Sequence, residues 1–525
     1  MNSKKLFWLV AVALASLGLY FWLAVRYPLG PSLTEPRATW ASMVEHTGLN
    51  AALHIGIYLA LTLLYLTTLR LLAPSQWEAT AKRRGQVLII FTTWLACSGV
   101  LLAVAPGGDS HDIFDYLFRG RMMVEYQANP LADVPESLGL SVPYARYLAW
   151  RKNVDTYGPV WEASSAAVAL SVRQSTRWLG WWGTAQPVCP KSPESCRLLM
   201  VYITGYRLLA ILLTGFSGWF IASMVRRDHT PLVPMALAAW WLSPLTLLAT
   251  AVGGHNDAVM LVLILLCWWL LQRQRPFLAL LALILAAHVK LTALIWLPAC
   301  ALWIIWRWGW RLALKFGLTS AVSGLALSWL LYASFGGWQT LPRMLQERTD
   351  YLANSFWRIL RAVLINQLGW PIGRAHRLSV SLPSWMFVAG ALLMPLWMFN
   401  FRSKSWRSTP IPPAEADRKL WRSLTAISFL YLLIGSFWFQ HWYALWLLAP
   451  AVLLPESWFT RSLLPWLMFG ALCANVAMDF LLNTSLKTTP QILGYILVVI
   501  MIWGPALIAF GFRLRGQFPS SQIVR

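Results

Sequence analysis

Long apolar runs separated by short polar connections make up most of the sequence. A helix needs about 20 apolar residues to cross the hydrocarbon core of a bilayer. Because the runs are continuous and near that length, the pattern predicts an all-α polytopic integral membrane protein. The runs are 6–25, 50–72, 86–105, 198–225, 231–252, 257–272, 312–333, 380–401, 421–438, 443–456, 462–482 and 490–513.

The composition supports this class and excludes others. Of the 525 residues, 58% are hydrophobic and 12% are charged, and the mean hydropathy is +0.55. Soluble domains carry about 25% charged residues, and disordered chains are poor in apolar ones. Strands of a membrane β-barrel alternate in polarity over roughly 10 residues, whereas these runs are continuous.

The charge asymmetry orients the predicted helices. The chain has 43 Lys and Arg against 20 Asp and Glu, a net charge of +23. Basic residues concentrate in the cytoplasmic connections of membrane proteins, which explains the excess without nucleic acid as a partner. With the basic clusters in the cytoplasm, segments 106–197 and 334–379 lie on the opposite face. We therefore expect a multi-pass protein of the plasma (inner) membrane whose active site faces the periplasm or cell exterior.

The apolar stretch 277–306 has basic residues beyond both ends, so both ends are expected in the cytoplasm. Its 30 residues are too few for two full spans. We predict two short helices that meet near His288-Val289-Lys290, which brings the total to about 12–14 helices. The chain then divides into N-terminal helices (1–105), an external loop (106–197), central helices (198–333), a second external loop (334–379) and C-terminal helices (380–525).

Segment 106–197 holds nine of the 20 acidic residues, more than a mere connector needs. Its apolar run 160–172 is too short to span and is predicted to lie in the membrane interface. Cys189 and Cys196 form an even pair on the external side, which favours a disulfide. The sequence contains neither CxxC nor HExxH, so it gives no support for a zinc site.

Three carboxylates follow the third apolar run closely, at Asp109, Asp112 and Asp115. Like charges this close, at the mouth of a membrane domain, repel one another and are costly to bury, which is typical of a functional site. The alternative is a solvated loop in which Asp109 caps a helix that begins near His111. The residues alone do not decide between the two.

Two further polar clusters lie between apolar runs on the same side. His255, Asn256 and Asp257 either bind a sugar hydroxyl or a phosphate, or form a turn with a helix cap. The stretch 438–443, which ends in His441-Trp442-Tyr443, either lines a pocket or belongs to an aromatic belt at the interface.

Two cations lie within the apolar runs themselves. Lys290 is a functional candidate because a charge at membrane depth is costly, although its ammonium group could snorkel to the interface. His288 beside it favours a polar pocket. Arg207 is a candidate of the same kind.

The order of these motifs resembles a known family. Asp112-Ile113-Phe114-x-Tyr116-x-x-x-Gly120-Arg121, Asn129-Pro130 and Tyr157-Gly158-Pro159 are similar to the polyprenyl-phosphate-dependent mannosyltransferases of the GT-C superfamily. The nearest groups are glycosyltransferase family 87 and the bacterial alpha-mannosyltransferases. Gly254-His255-Asn256-Asp257, Lys290 with Pro298, and Trp442-Tyr443 agree in order, so the resemblance covers roughly 90–450. Two features depart from the pattern: the acidic loop follows the third run instead of the first, and the Cys189/Cys196 insert is additional.

The resemblance implies a GT-C fold that moves a sugar, mannose in those relatives, from a polyprenyl-phosphate donor to a lipid or glycan acceptor with inversion. Asp112 matches the family's catalytic Asp and is expected to be the general base. Lys290 and Arg207 are expected to stabilise the leaving phosphate, and Asp109 to help position the sugar. The other substrate- or donor-binding candidates are Arg121, Asn129, Tyr157, His255, Asn256, Asp257, His441, Trp442 and Tyr443.

Other functions stay open on the sequence alone. A lipid or glycan transporter or flippase would carry charges along a central path and show an internal repeat, and the sequence shows neither. An O-antigen-ligase type of enzyme would use a lipid-diphosphate donor, and a membrane receptor would carry the carboxylates incidentally. We expect no required cofactor. A divalent metal at Asp109 and Asp112 is an alternative that the monophosphate leaving group disfavours.

Overall fold

The computed structural model describes residues 3–35, 39, 43–73, 80–106, 110–139, 144–181, 189, 193–349, 352–399, 412–485 and 491–514. Within these ranges the chain forms twenty α-helices and no β-strand. The helices are α1 (Ser3–Arg26), α2 (Leu29–Thr34), α3 (Gly48–Leu71), α4 (Thr80–Leu101), α5 (Asp112–Glu125), α6 (Pro159–Trp178), α7 (Pro193–His229), α8 (Val233–Trp241), α9 (Pro244–Ala251), α10 (Asp257–Gln272), α11 (Pro276–Ala287), α12 (Leu297–Trp308), α13 (Trp310–Ala333), α14 (Leu341–Thr349), α15 (Phe356–Asn366), α16 (Ile372–Phe399), α17 (Pro413–Leu430), α18 (Leu445–Ala451), α19 (Leu464–Asn475) and α20 (Gln491–Leu514).

Shorter helical turns of two other kinds connect or extend these helices. The 3-10 turns are Pro135–Leu138, Ala145–Tyr147, Thr230–Leu232, Leu291–Trp296, Trp338–Thr340 and His441–Ala444. The π-helical segments in the described part of the chain are Tyr431–Gly435, Phe459–Leu463 and Val476–Ser485. A π-helical turn widens the helix by one residue and is frequent at functional sites.

The prediction of an all-α polytopic membrane protein is confirmed. Among the described residues, nine helical stretches are long and apolar enough to cross a bilayer. They are Lys4–Arg26, Gly48–Leu71, Arg83–Leu101, Ser195–Trp241, Leu291–Trp308, Trp310–Ala333, Ile372–Phe399, Phe459–Leu481 and Gln491–Leu514. The shorter apolar helices α10 and α11 accompany them.

The predicted hairpin between two basic ends is confirmed, because the chain breaks at His288–Lys290 between α11 and the turn that leads into α12. Two predicted continuous spans are wrong. The run 231–252 divides into α8 and α9, because Pro244 cannot continue the helix that ends at Trp241. The run 443–456 contains only α18, whose seven residues reach about 10 Å and cannot cross a bilayer.

The outer helices expose apolar side chains as lipid-facing helices do. On α13, Leu314, Leu318, Val322, Leu325 and Trp329 are exposed. Their spacing of three or four residues places them on one face. Apolar surface is costly to expose to water and is readily accommodated by lipid chains. Such a face is therefore stable against lipid.

The segment between α4 and α7 forms a cover over one end of the bundle. Its helix α5 packs on both α6 and α7. Gly120 makes this packing close, since a Cβ atom there would clash with the Tyr206 hydroxyl oxygen. The predicted interfacial run 160–172 lies within the longer helix α6, which exposes Leu170 and Trp178. Cys189 and Cys196 are joined by a disulfide and are both buried.

Candidate active site

A cavity of about 370 Å³ lies between this cover and the helix bundle. Its size is that of a small-molecule binding site. Five parts of the chain line it: α5 with the stretch 149–157, the break at Lys290, residues of the stretch 347–354, the stretch 431–443, and the junction of α19 with the π-helical segment Val476–Ser485. Polar and aromatic side chains from distant parts of the sequence therefore meet in one chamber.

Asp112 lies at the first position of α5 and lines the cavity. The Ser110 hydroxyl accepts a hydrogen bond from the Asp112 backbone N–H at 3.0 Å, which holds the start of the helix. The Tyr116 hydroxyl oxygen lies 3.5 Å from Asp112 Oδ2 and 3.5 Å from both Tyr157 Oη and Asn256 Oδ1. The predicted residues Asp112, Tyr157 and Asn256 are thus gathered around one tyrosine.

Asp115, one turn further along α5, fixes the wall of the cavity. Its carboxylate accepts hydrogen bonds from the backbone N–H groups of Ala149 (3.2 Å) and Trp150 (3.1 Å). Burial raises the pKa of Asp115 from 3.8 to about 7, and Arg119 opposes that shift. Because both oxygens are occupied by backbone donors, Asp115 holds the loop and is poorly placed to meet a substrate.

Arg119 and two buried carboxyl groups continue this scaffold, with Arg119 and Asp155 in the cavity lining and Glu162 outside it. The Arg119 guanidinium donates to the carbonyl oxygens of Trp150 and Asn153 and lies 3.4 Å from Asp155 Oδ2. Glu162, on α6, is fully buried, and burial together with Asp155 raises its pKa well above the ordinary value. Asp115 and Arg119, which lie within the sequence motif around Asp112, therefore position the loop at residues 149–153.

We expect the folded protein to lose stability as the pH rises from about 4 to about 7. The pKa of Asp115 is 3.8 ordinarily and about 7 in the fold, so the folded state binds this proton more tightly than the unfolded state. That stabilisation is complete below pH 3.8 and is lost as the pH passes 7. Thermal unfolding midpoints between pH 4 and 8 measure it.

The variant Asp115→Asn tests this assignment, since its side chain does not titrate. The pH dependence of its unfolding midpoint should be weaker than that of the wild type. Asp133→Asn changes an exposed residue of the same segment and should keep the wild-type dependence. An unchanged slope in Asp115→Asn would show that another group causes it.

The Tyr157-Gly158-Pro159 stretch rests directly on the break between α11 and α12. Gly158 N–H donates to the Val289 carbonyl oxygen at 3.0 Å, and Val160 N–H donates to that of His288 at 3.0 Å. A Cβ atom on Gly158 would clash with the His288 carbonyl oxygen, so only glycine permits this approach. The stretch 157–160 is thereby fixed beside Lys290.

Lys290 is buried in an ion pair. Its Nζ lies 2.8 Å from Asp257 Oδ2, and the second Asp257 oxygen accepts a hydrogen bond from Trp446 Nε1 at 2.6 Å. The ammonium group also lies 5.1 Å from the ring centre of Tyr157 and 5.3 Å from that of Tyr443, within the range of cation–π attraction. Lys290 lines the cavity with its charge already balanced by Asp257. His288 points elsewhere and bonds Ser328 on α13.

His255 and the His441-Trp442 pair form one aromatic stack. The rings of His255 and Trp442 are nearly parallel with centroids 3.8 Å apart, and His441 contacts both edge-on. Trp442 and Tyr443 line the cavity, whereas His255, Asn256 and His441 lie just behind its wall. The aromatic stretch is therefore part of the chamber and not an interfacial belt.

Three more predicted site residues lie outside the cavity lining. Fully buried Arg207 donates to the backbone carbonyl oxygens of Val252 and Leu102 at 2.8 Å each, which satisfies carbonyls near the ends of α9 and α4. Arg121 forms an ion pair with Glu125 in the same helix. Asn129 donates to the Phe335 carbonyl oxygen at 2.8 Å and so joins the stretch after α5 to the stretch after α13. All three hold the frame around the site.

One predicted residue, Asp109, lies outside the described residues. The part of the chain that is described contains no group of three or more His, Cys, Asp or Glu side chains that could hold a metal ion. Asp112, the second residue of the alternative metal site at Asp109 and Asp112, lines the cavity.

Several cavity residues were not singled out from the sequence. They come from the stretch after α5, from α14, from the last residue of α19 and from the π-helical segment that follows it, and are Trp150, Asn153, Asp155, Glu347, Asn475 and Asp479. Asn153 hydrogen-bonds Glu347, so α14 also borders the chamber. Asp479 carried a signal, because an acidic residue within an apolar run is a functional candidate.

Two family models match the chain. The model for alpha-(1->6)-mannopyranosyltransferase, N-terminal domain, matches residues 8–306, and the model for glycosyltransferase family 87 matches residues 195–434. A comparison with curated proteins found no match. The fold and these matches define a membrane glycosyltransferase of the GT-C type, which has a sugar donor and an acceptor as substrates. The first match spans more than half of the chain, so the chain belongs to the alpha-(1->6)-mannopyranosyltransferase family.

Proposed function

We propose that the cavity transfers mannose from a polyprenyl-phosphate donor to a lipid or glycan acceptor on the non-cytoplasmic face of the plasma membrane. One observation carries the proposal: a half-buried carboxylate, Asp112, lines a chamber that reaches from the cover to a helix long and apolar enough to cross a membrane. A lipid-linked sugar is a substrate that must occupy both environments. Membership of the alpha-(1->6)-mannopyranosyltransferase family supports mannose as the transferred sugar.

The proposed reaction is a direct displacement at the anomeric carbon. The acceptor hydroxyl oxygen forms a bond to that carbon while the bond from the carbon to the phosphate oxygen breaks. The acceptor proton passes to the Asp112 carboxylate, and polyprenyl phosphate leaves with the electron pair. A general base of this kind contributes about 10²- to 10⁴-fold to the rate.

The charges in the cavity bear on how the leaving phosphate is stabilised. The cations in the described lining are Arg119 and Lys290, and both already contact carboxylates. Arg207 is fully buried outside the cavity lining, so it is not among the groups that we propose for the phosphate. We propose that the phosphate joins the Lys290–Asp257 pair at the cavity surface, where the low dielectric strengthens its attraction to the ammonium group.

The family and the proposed mechanism together favour a donor with a β-linked sugar. A displacement inverts the anomeric carbon, so an alpha-(1->6) product requires a β-linked mannosyl phosphate. The acceptor nucleophile is then a primary 6-hydroxyl group, which is less hindered than the ring hydroxyls. We propose that no cofactor is required, and the alternative of a divalent metal at Asp109 and Asp112 is tested by adding EDTA to the assay.

The orientation of the protein is tested by labelling of engineered cysteines. Glu136→Cys lies in the exposed cover, and Arg84→Cys lies in the basic cluster at the other end of α4. We expect a membrane-impermeant maleimide to label Glu136→Cys in intact cells and Arg84→Cys only after permeabilisation. The four free cysteines are buried and should add little background. The reverse pattern would place the cavity in the cytoplasm.

The proposed donor is tested with the purified protein and a panel of mannosyl donors. We expect transfer from β-polyprenyl-phosphate mannose, and none from a nucleotide-linked mannose or from a lipid-diphosphate-linked glycan. Transfer from the lipid diphosphate alone would favour a ligase of the O-antigen type. Movement of the lipid across vesicles without any new glycosidic bond would favour a flippase.

A further inference from the structure

Asn475 and Asp479 line the cavity from the side opposite the cover. Asn475 is the last residue of α19, and Asp479 lies in the π-helical segment that follows. Both residues lie beyond 434, and therefore outside the regions that the two family models match. They also lie in the last turns of the candidate span Phe459–Leu481.

These two side chains make no hydrogen bond or ion pair with any other residue that the structure describes. Asn475 is only 8% exposed, and buried amides almost always have hydrogen-bond partners. An aspartate within an apolar span is costly and is retained where it has a function. Polar groups that face a cavity and have no protein partner are available to bind a polar ligand.

The local helix geometry turns both side chains toward the cavity. The change from α to π at Val476 widens the helix, and Asn475, Met478 and Asp479 share the cavity side. The neighbouring Phe480 packs on the other side, with its ring centre 5.2 Å from that of His54 on α3. A second π-helical segment, Tyr431–Gly435, also has a residue in the lining, so widened turns border the cavity twice.

We propose that Asn475 and Asp479 form a hydroxyl-binding subsite for the transferred sugar. A carboxylate accepts from two adjacent hydroxyl groups, and an amide both donates and accepts, which matches the vicinal hydroxyls of a hexopyranose. The donor phosphate is excluded from this position because Asp479 repels it. The donor sugar is attached directly to the lipid phosphate, so it lies nearer the membrane helices than an acceptor that enters from the aqueous side.

The proposal rests on the proposed function, and deoxy donors test it. β-Polyprenyl-phosphate mannose and its 2-, 3- and 4-deoxy analogues are supplied to the wild type and to Asp479→Asn. We expect the wild type to use at least one deoxy donor about 10- to 100-fold less well in kcat/KM, as loss of a hydrogen bond to a charged group predicts. In Asp479→Asn the ratio of kcat/KM between the parent donor and that deoxy donor should approach one, because the neutral amide binds the hydroxyl group less strongly than the carboxylate does.

Asn475→Ala is a second variant, and it should lose discrimination at the same or the adjacent hydroxyl. Asp417→Asn is the matched control, since Asp417 is a buried aspartate of α17 that lies outside the cavity lining. Its discrimination should equal that of the wild type. If Asp479→Asn and Asn475→Ala lowered kcat/KM equally for all donors, so that the ratios between parent and deoxy donors stayed as in the wild type, the subsite alone would be overturned. Absence of transfer by the wild type from every donor would overturn the proposed function, and the subsite with it.

Discussion

Asp112→Asn should lower turnover by about 10²- to 10⁴-fold while the donor still binds. The substitution keeps the size of the side chain and its ability to hydrogen-bond, but the amide cannot take the acceptor proton. Asp112 is the carboxylate at the start of α5 that faces the cavity, whereas neighbouring Asp115 is held by two backbone N–H groups. Steady-state transfer and equilibrium donor binding, measured on the same preparation, separate the chemical step from binding.

Two further substitutions make this result specific to Asp112. Asp133→Asn removes a charge from an exposed position of the same external segment and should leave turnover near the wild-type value. Asp115→Asn should cost less turnover than Asp112→Asn, because its effect comes through the loop at 149–150. Near-normal turnover in Asp112→Asn, with collapse in Asp109→Asn, would move the general base to Asp109.

Lys290→Met should destabilise the fold by about 3–5 kcal/mol, because it leaves the Asp257 carboxylate buried without its cation. The methionine keeps most of the length of the side chain and removes only the charge. Lys419→Met is the control, since Lys419 forms a partly exposed pair with Glu415. Such pairs contribute about 0–1 kcal/mol. The free energy of unfolding in detergent measures both variants.

The double variant Lys290→Met/Asp257→Asn separates the structural role of Lys290 from a role in binding. The new amide at position 257 would keep an oxygen for the Trp446 indole N–H, so the double variant should regain most of the lost stability. If Lys290 also binds the donor phosphate, donor binding should stay impaired in this stable protein. Wild-type stability in Lys290→Met would show that the Asp257 charge does not depend on Lys290.

The sequence predicted the membrane class, most of the spans and the hairpin near Lys290, because burial in lipid requires long apolar runs that are visible in one dimension. It also located α5 and Asp112. Two spans were wrong for local reasons: Pro244 divides one run, and α18 is too short to cross. Hydropathy averages over a window and does not register where backbone hydrogen bonding stops.

The partners of the buried charges could not be predicted from the sequence. In the sequence, Lys290 and Arg207 are both cations within apolar runs. In the structure, Lys290 pairs with the Asp257 carboxylate, whereas Arg207 donates to two backbone carbonyl oxygens. These contacts join residues 33, 45 and 105 positions apart. Only the packing of the helices brings such groups together. The sequence-based prediction treats the run 462–482 as a simple membrane span, so it does not include Asp479 among the site residues.

The measurement that tests the central claim most directly is photo-crosslinking with a β-polyprenyl-phosphate mannose that carries a diazirine on the sugar. Asp112→Asn is the protein to use, because it should hold the donor without turning it over. We predict crosslinks to the cavity-lining stretches 149–157, 436–443 and 475–479, and their loss when unlabelled donor is added. Crosslinks that map to the lipid-facing side of α13, or that unlabelled donor does not displace, would contradict the assignment of this cavity as the active site.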